Sequence, residues 1–184
     1  VDLRLRRVLY GEITGTVLLP DGAPAAGAEV YRYGIQRQAD AMSDGEGRFG
    51  LKKVRAGPAT VYVRKDGWAP ASVETTVRSG KTTEVAVALR RGGTVECLVL
   101  KEAGGAPVPG ARVWLWPRAR HDFHASLLEH GPGRMADVAV GEADAEGRCR
   151  MEHVPEGPFL ALVIEGKDVC NFLDDVRAPD GETV

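Results

Sequence analysis

The chain repeats itself, and that repeat constrains the fold more than any other feature. Gly11-Glu12-Ile13-Thr14-Gly15-Thr16-Val17 is followed by Asp21-Gly22-Ala23-Pro24 and Gly27-Ala28-Glu29-Val30. Gly93-Thr94-Val95-Glu96-Cys97-Leu98-Val99 is followed by Gly105-Ala106-Pro107-Val108 and Gly110-Ala111-Arg112-Val113. Asp44-Gly45-Glu46-Gly47-Arg48-Phe49 then parallels Asp144-Ala145-Glu146-Gly147-Arg148-Cys149, and Val54, Gly57 and Pro58 parallel Val154, Gly157 and Pro158. Self-similarity at this period means one structural unit built twice. In 184 residues it predicts two modules of about 90 residues, each large enough to bury a two-layer core.

The unit is a β unit. Ile13, Gly15 and Val17 alternate with Glu12, Thr14 and Thr16, and Val85, Val87 and Leu89 alternate with alanines. Period-2 alternation places one face in a core and the other in water. The apolar runs are short, and Gly, Pro and Asp punctuate them every 8–12 residues or so, as in an all-β sandwich. One helical stretch is predicted, His124–His130, with Asp122 placed to cap it and Gly131-Pro132 to stop it. It lies in an insertion at about 117–136 that the first copy lacks.

Composition narrows the function. Basic and acidic side chains number 24 and 26, a net charge of −2, so no basic excess exists to grip a phosphate backbone and nucleic acid is not expected as a partner. No run approaches the ~18 apolar residues of a membrane span. No Gly-rich phosphate loop, paired catalytic carboxylates or Ser-His-Asp frame stands out. No catalytic residue and no cofactor is therefore expected, and the chain reads as a non-enzyme.

The motif string G-x-(V/I)-x-G-x-V, DG-x-P, G-A-x-V and D-x-x-G-x-F resembles the carboxypeptidase regulatory-like domain. The first copy carries every motif position from Gly11 to Phe49, whereas the second departs at Cys97 and Cys149. The resemblance implies two tandem seven-stranded Greek-key sandwiches of the transthyretin-like kind. It also implies a non-catalytic accessory or array role in secreted or cell-surface proteins, with neighbouring repeats as partners and no peptidase activity.

The candidate sites are few. Tyr31 and Tyr33 align with Trp114 and Trp116, and each pair alternates with inward-facing Val30 or Val113, so it is expected on the opposite face. Outward aromatics could stack on a carbohydrate or anchor a surface protein, or they could be covered by the insertion, a linker or a neighbouring module. Cys97 and Cys149 share one core and could form a disulfide in an exported protein, or stay reduced as small buried hydrophobes. His121, His124 and His130 sit in the insertion, and two of them are three residues apart, so a helix would let them share a metal; no familiar ligand frame surrounds them, and solvated loop histidines are the simpler expectation.

The ends carry a third fragment of the pattern. Val1-Asp2-Leu3-Arg4-Leu5-Arg6-Arg7 repeats the phrase Val85-Ala86-Val87-Ala88-Leu89-Arg90-Arg91, and Val176–Val184 resembles Val77–Val85. Val1, Val85 and Val184 are thus expected to be equivalent. Residues 1–7 would then be the last strand of a preceding repeat, 8–91 the first full repeat, and 92–184 a second one lacking its final strand. The gap would be left open or filled by Val1–Arg7 of a neighbouring molecule, a strand-swapped self-association.

Overall fold

The computed structural model describes residues 7–32, 38–117, 138–166 and 181–184, and the backbone of 168–178. The described residues hold strands and turns and no helix. Contacts divide the chain into two compact units, the first holding strands β1–β7 and the second β8–β13.

In the first unit the strands are β1 (Tyr10–Leu18), β2 (Glu29–Tyr31), β3 (Ala41–Met42), β4 (Arg48–Arg55), β5 (Gly57–Arg64), β6 (Ala71–Val77) and β7 (Thr82–Ala88). They form one sheet of order β4-β1-β7 and another of order β3-β2-β5-β6. The alternation read from sequence is the alternation of burial. Ile13, Val17, Phe49, Leu51, Val87 and Leu89 point inward from the first sheet, and Val30, Val61, Val63 and Val77 from the second. Each such side chain adds about 1.5–3 kcal/mol when taken fully out of water. β1 and β4 are antiparallel, but β1 and β7 run parallel, paired from Glu12↔Thr82 to Leu18↔Ala88.

The second unit repeats this plan with β8 (Gly93–Leu98), β9 (Arg112–Pro117), β10 (Ala139–Glu142), β11 (Arg148–Val154), β12 (Gly157–Glu165) and β13 (Asp168–Ala178). Its sheets are β11-β8 and β10-β9-β12-β13. Val95 and Val99 of β8, Met151 of β11, Val113 and Leu115 of β9 and Phe159 of β12 meet in one apolar cluster, so the two sheets share an interior. The registers coincide with those of the first unit. Ile13 faces Leu51 and Gly15 faces Phe49, while Val95 faces Met151 and Cys97 faces Cys149.

Small features repeat as faithfully. Asp44 Oδ1 accepts the backbone N–H of Glu46 (3.0 Å) and of Arg48 (2.8 Å), and Asp144 Oδ1 accepts those of Glu146 and Arg148 at the same distances. A carboxylate satisfying two turn donors is an Asx turn, the local chemistry that makes Asp a turn former. A bulge in each β4-type strand puts a non-glycine residue in the left-handed region, Lys53 at φ 53° and His153 at φ 56°. Where the copies differ, the difference is a substitution. Ser43 is buried, accepting the Ala28 N–H at 2.8 Å and donating to Ala25 O at 2.6 Å; its counterpart is Ala143.

The connection after β2 is pinned at its ends. The Asp40 carboxylate accepts the Arg32 backbone N–H at 2.8 Å and the Arg32 Nε–H at 2.7 Å. The insertion expected at about 117–136, with its helix, lies outside the described residues apart from Pro117, which closes β9.

One expected equivalence is shifted. Gly181 N–H donates to Gly92 O at 3.1 Å as Gly80 N–H donates to Tyr10 O at 2.8 Å, and Thr94 faces Thr183 as Glu12 faces Thr82. Val184 therefore matches Thr83, not Val85. A bulge between Phe159 and Leu160 lodges an extra residue in β13, so Gly157 faces Ala178 where Gly57 faces Val77.

Candidate functional site

β9 carries the aromatic pair. Val113 and Leu115 face the interior shared by the sheets, and Trp114 and Trp116 face the other way, as the alternation requires. That other face is buried as well: both indoles are 2% exposed. They pack on Leu162 and Ile164 of β12 and on Val138, with Trp114 directly opposite Leu162 and Trp116 opposite Leu160. Cross-strand pairs of aromatic and aliphatic side chains are the unit of sheet stabilisation. The Arg112 guanidinium lies 6.0 Å from the Trp114 ring centroid, within cation–π range. Trp114 Nε1 is buried without a hydrogen-bond partner among the described residues. Trp114 and Trp116 thus lie on the face opposite Val113 and Leu115, and of the two arrangements the sequence leaves open this is the covered one, β9 being apolar on both sides.

Tyr31, in the equivalent place on β2, is buried too, at 6% exposure. Its hydroxyl donates to Glu29 Oε2 at 2.6 Å. Burial, with the Glu29 hydrogen bond and charge next, pushes the Tyr31 hydroxyl up to about 12. A raised folded-state value favours the neutral phenol, so its contribution is intact below the ordinary tyrosine value near 10 and is lost as pH climbs toward 12. An alkaline absorbance titration should show one tyrosine ionising near 12 that is missing from Tyr31→Phe. Superimposable wild-type and variant curves would refute the assignment. Tyr33, His121, His124 and His130 lie outside the described residues.

Cys97 and Cys149 face each other across β8 and β11, and both are free thiols. They stand where the first unit has Gly15 and Phe49. The Cys149 thiol donates to Cys97; that hydrogen bond, with burial next, raises Cys149 above its ordinary value, and the same bond draws Cys97 below its own against the opposing effect of burial. The thiolate is the form that attacks a disulfide, so Cys97 is the sulfur that reacts first. Incubation with oxidised glutathione should therefore yield an internal Cys97–Cys149 bond, read as a mass lower by two hydrogens that reductant reverses. A persistent glutathione adduct on Cys97 without internal bridging would count against this pairing.

An apolar cleft of about 520 Å³ runs along β8, floored by Val95, Val99, Val113, Leu115 and Ala161 and touched by Val184. Glu96, Glu102, Glu165 and Lys101 stand at its rim. In the first unit the corresponding place is taken by β7 and the residue after it, with Val85, Val87 and Leu89 buried. No cluster of His, Cys, Asp and Glu among the described residues has the geometry of a metal site. No helix among them is long and apolar enough to cross a membrane.

The β1–β7 unit folds the Gly11-to-Phe49 motif string into the two sheets described. Residues 12–90 match the carboxypeptidase regulatory-like domain. The regulatory-like domain match takes in β1 to β7 and ends at Arg90. The second unit shares the registers and turn hydrogen bonds of the first. None of the curated proteins matches the chain. Among solved structures, the chain is similar to the minor pilin GBS52 of Streptococcus agalactiae, at 12% identity and a TM-score of 0.42, over 94% of this chain and 92% of that one. It is also similar to the TIE protein of Bacillus anthracis, at 15% identity and a TM-score of 0.35, over 96% of this chain and 33% of that one. A third is a cohesin–X-dockerin complex from Acetivibrio cellulolyticus, at 20% identity and a TM-score of 0.36, over 45% of this chain and 58% of that one. The chain thus spans a third of the TIE protein and just over half of the cohesin–dockerin chain. Scores this low leave the architecture resting on the sheet registers themselves.

Proposed function

We propose that the chain is a run of non-catalytic structural modules, spacers of a secreted or cell-surface protein. In this reading 8–91 and 92–184 are successive sandwiches of the transthyretin-like kind, and the product of the fold is length and mechanical persistence. The observation that carries it is the parallel β1–β7 pair. The first and last strands of the unit lie side by side and point the same way, from Glu12↔Thr82 to Leu18↔Ala88. Tension applied at the two ends of such a unit pulls these strands in opposite directions along their length. The ladder hydrogen bonds are then loaded together in shear, not opened one at a time.

Single-molecule extension of the whole chain tests this. Unfolding of the first unit should release roughly 3.3–3.6 Å of contour per residue in one abrupt event. Val87→Pro, which removes a ladder donor, should lower the force of that event clearly. Gradual extension at low force, with no discrete event, would end the spacer reading. The other reading, a carbohydrate- or protein-binding surface built on aromatics, has Tyr31, Trp114 and Trp116 buried against it. Retention on a glycan array, abolished in Trp114→Ala, would restore it.

A further inference from the structure

Beyond the spacer role, we propose that the cationic row on β4, made of Arg48, Lys52, Lys53 and Arg55, is a docking surface for a linear acidic polysaccharide that carries carboxylates on its sugar rings.

The row follows from the strand's own alternation. Phe49, Leu51 and Val54 are buried, which turns Arg48, Gly50, Lys52 and Arg55 to the outer face of the β4-β1-β7 sheet, where all four are exposed. The bulge adds Lys53 to the exposed side, in the left-handed region at φ 53°. Lysine is not a residue that favours this conformation, and positions held there against preference cluster where a side chain must be aimed. From Arg48 to Arg55 the strand holds four cations and no carboxylate. Glu12, opposite the bulge, and Glu84, beyond Thr14, share the outer face, yet none of the four cations makes an ion pair among the described residues.

Charge on an edge strand also keeps sheets from pairing edge to edge, and β4 is an edge strand. The second unit shows that such protection needs no excess of one sign. At the equivalent places β11 carries Arg148, Arg150, Glu152 and His153, and Arg150 pairs with Glu96 and, at 3.1 Å, with Glu152. The first unit has Lys52 where the second has Glu152, and it leaves its cations unneutralised. An unneutralised row raises the local concentration of an external anion.

Spacing selects the anion. Seven steps of about 3.3 Å put roughly 23 Å between Arg48 and Arg55. Four cations over that length make about one per 6 Å, far sparser than the one phosphate per about 1.7 Å of duplex nucleic acid. It is close to one per ring in a polymer with an acid on each sugar. Gly50 leaves a gap between Arg48 and Lys52, since a Cβ there would meet nothing within 4 Å. Val17 N–H donates to Gly47 O, so Gly47, Phe49 and Leu51 turn their backbone groups to β1, and Gly50 turns its N–H to the open edge. A ring carboxylate entering the gap would accept that N–H. At the far end Tyr10 stands opposite Arg55 and is 51% exposed, an aromatic face on which a sugar ring can stack. Thr14 and Thr16 border the row on β1 and offer no apolar pocket to the side chains of an acidic peptide.

The test is a titration of the full chain with labelled oligogalacturonate, read by fluorescence anisotropy. Single exposed ion pairs are weak, so the signal comes from the row as a whole. Wild type should bind saturably, and the affinity should fall at least tenfold between about 50 and about 200 mM salt. Lys52→Glu/Lys53→Glu should lose at least tenfold at low salt while melting with wild type. Lys52→Arg/Lys53→Arg should keep wild-type affinity. Lys65→Glu/Lys101→Glu, with the same change in net charge elsewhere, should bind as wild type does. Tyr10→Ser should weaken oligogalacturonate severalfold. Absence of binding at low salt, binding unaltered in Lys52→Glu/Lys53→Glu, or equal loss in Lys65→Glu/Lys101→Glu would each overturn the proposal. So would tighter binding of oligoglutamate or polyphosphate of equal charge. None of these results bears on the unfolding force that tests the spacer reading.

Discussion

Trp116→Ala should lower the stability of the second unit by about 3–5 kcal/mol, the usual cost of emptying a buried tryptophan site. Trp116 is 2% exposed and lies opposite Leu160 on a strand whose other face carries Val113 and Leu115 into the main interior. The neighbouring backbone is held by β12 on one side of β9 and β10 on the other, so little can collapse into the vacated space. For a unit of this size the melting temperature should fall by at least about 12 °C. A loss below about 1 kcal/mol would mean that the indole is wetted in solution and that the second apolar face of β9 is not a core. Calorimetry of the two proteins under identical conditions reads the difference directly.

Gly47→Ala should be nearly as costly in the first unit. Gly47 sits at φ 73°, and a Cβ there would meet Val17 O at 2.5 Å and Ala25 N at 3.2 Å. Both neighbours are backbone and cannot rotate aside. Left-handed geometry and overpacking together should amount to about 2–5 kcal/mol. Gly147→Ala makes the matching prediction in the second unit, since Gly147 is at φ 78° and its Cβ would lie 2.6 Å from Val99 O. Urea titrations of both variants check this, and tolerance at either site would show that the two turns are less alike than their hydrogen bonds indicate.

Much of this architecture is legible in the sequence because its signals are local. Period-2 alternation places Ile13, Val17, Val87 and Leu89 inward, and the Asp44 and Asp144 turns follow from a carboxylate two residues before a donor. Two features escape that logic. The bulges at Lys53 and His153 carry no glycine to mark them, yet they reset the phase so that Val54 and Val154 point inward after Leu51 and Met151. The register of Val184 depends on a bulge in β13, and an alignment of similar letters places it two residues away. The burial of Trp114 and Trp116, one of two arrangements that alternation leaves open, has its own signal: Val113-Trp114-Leu115-Trp116 is an unbroken apolar run, the mark of a strand covered on both faces. The charges at the rim of the β8 cleft are not legible in the sequence, since Glu165 and Lys101 come together only through the fold.

The clasp between Arg32 and Asp40 has a practical corollary. It fixes both ends of the β2–β3 connection independently of what lies between them, and the second copy accommodates a far longer stretch between β9 and β10 at the same point of the plan. This connection is therefore the natural splice point for foreign sequence. An epitope or recognition loop of a dozen or more residues, grafted between those two anchors, should be displayed without disturbing strand pairing on either side.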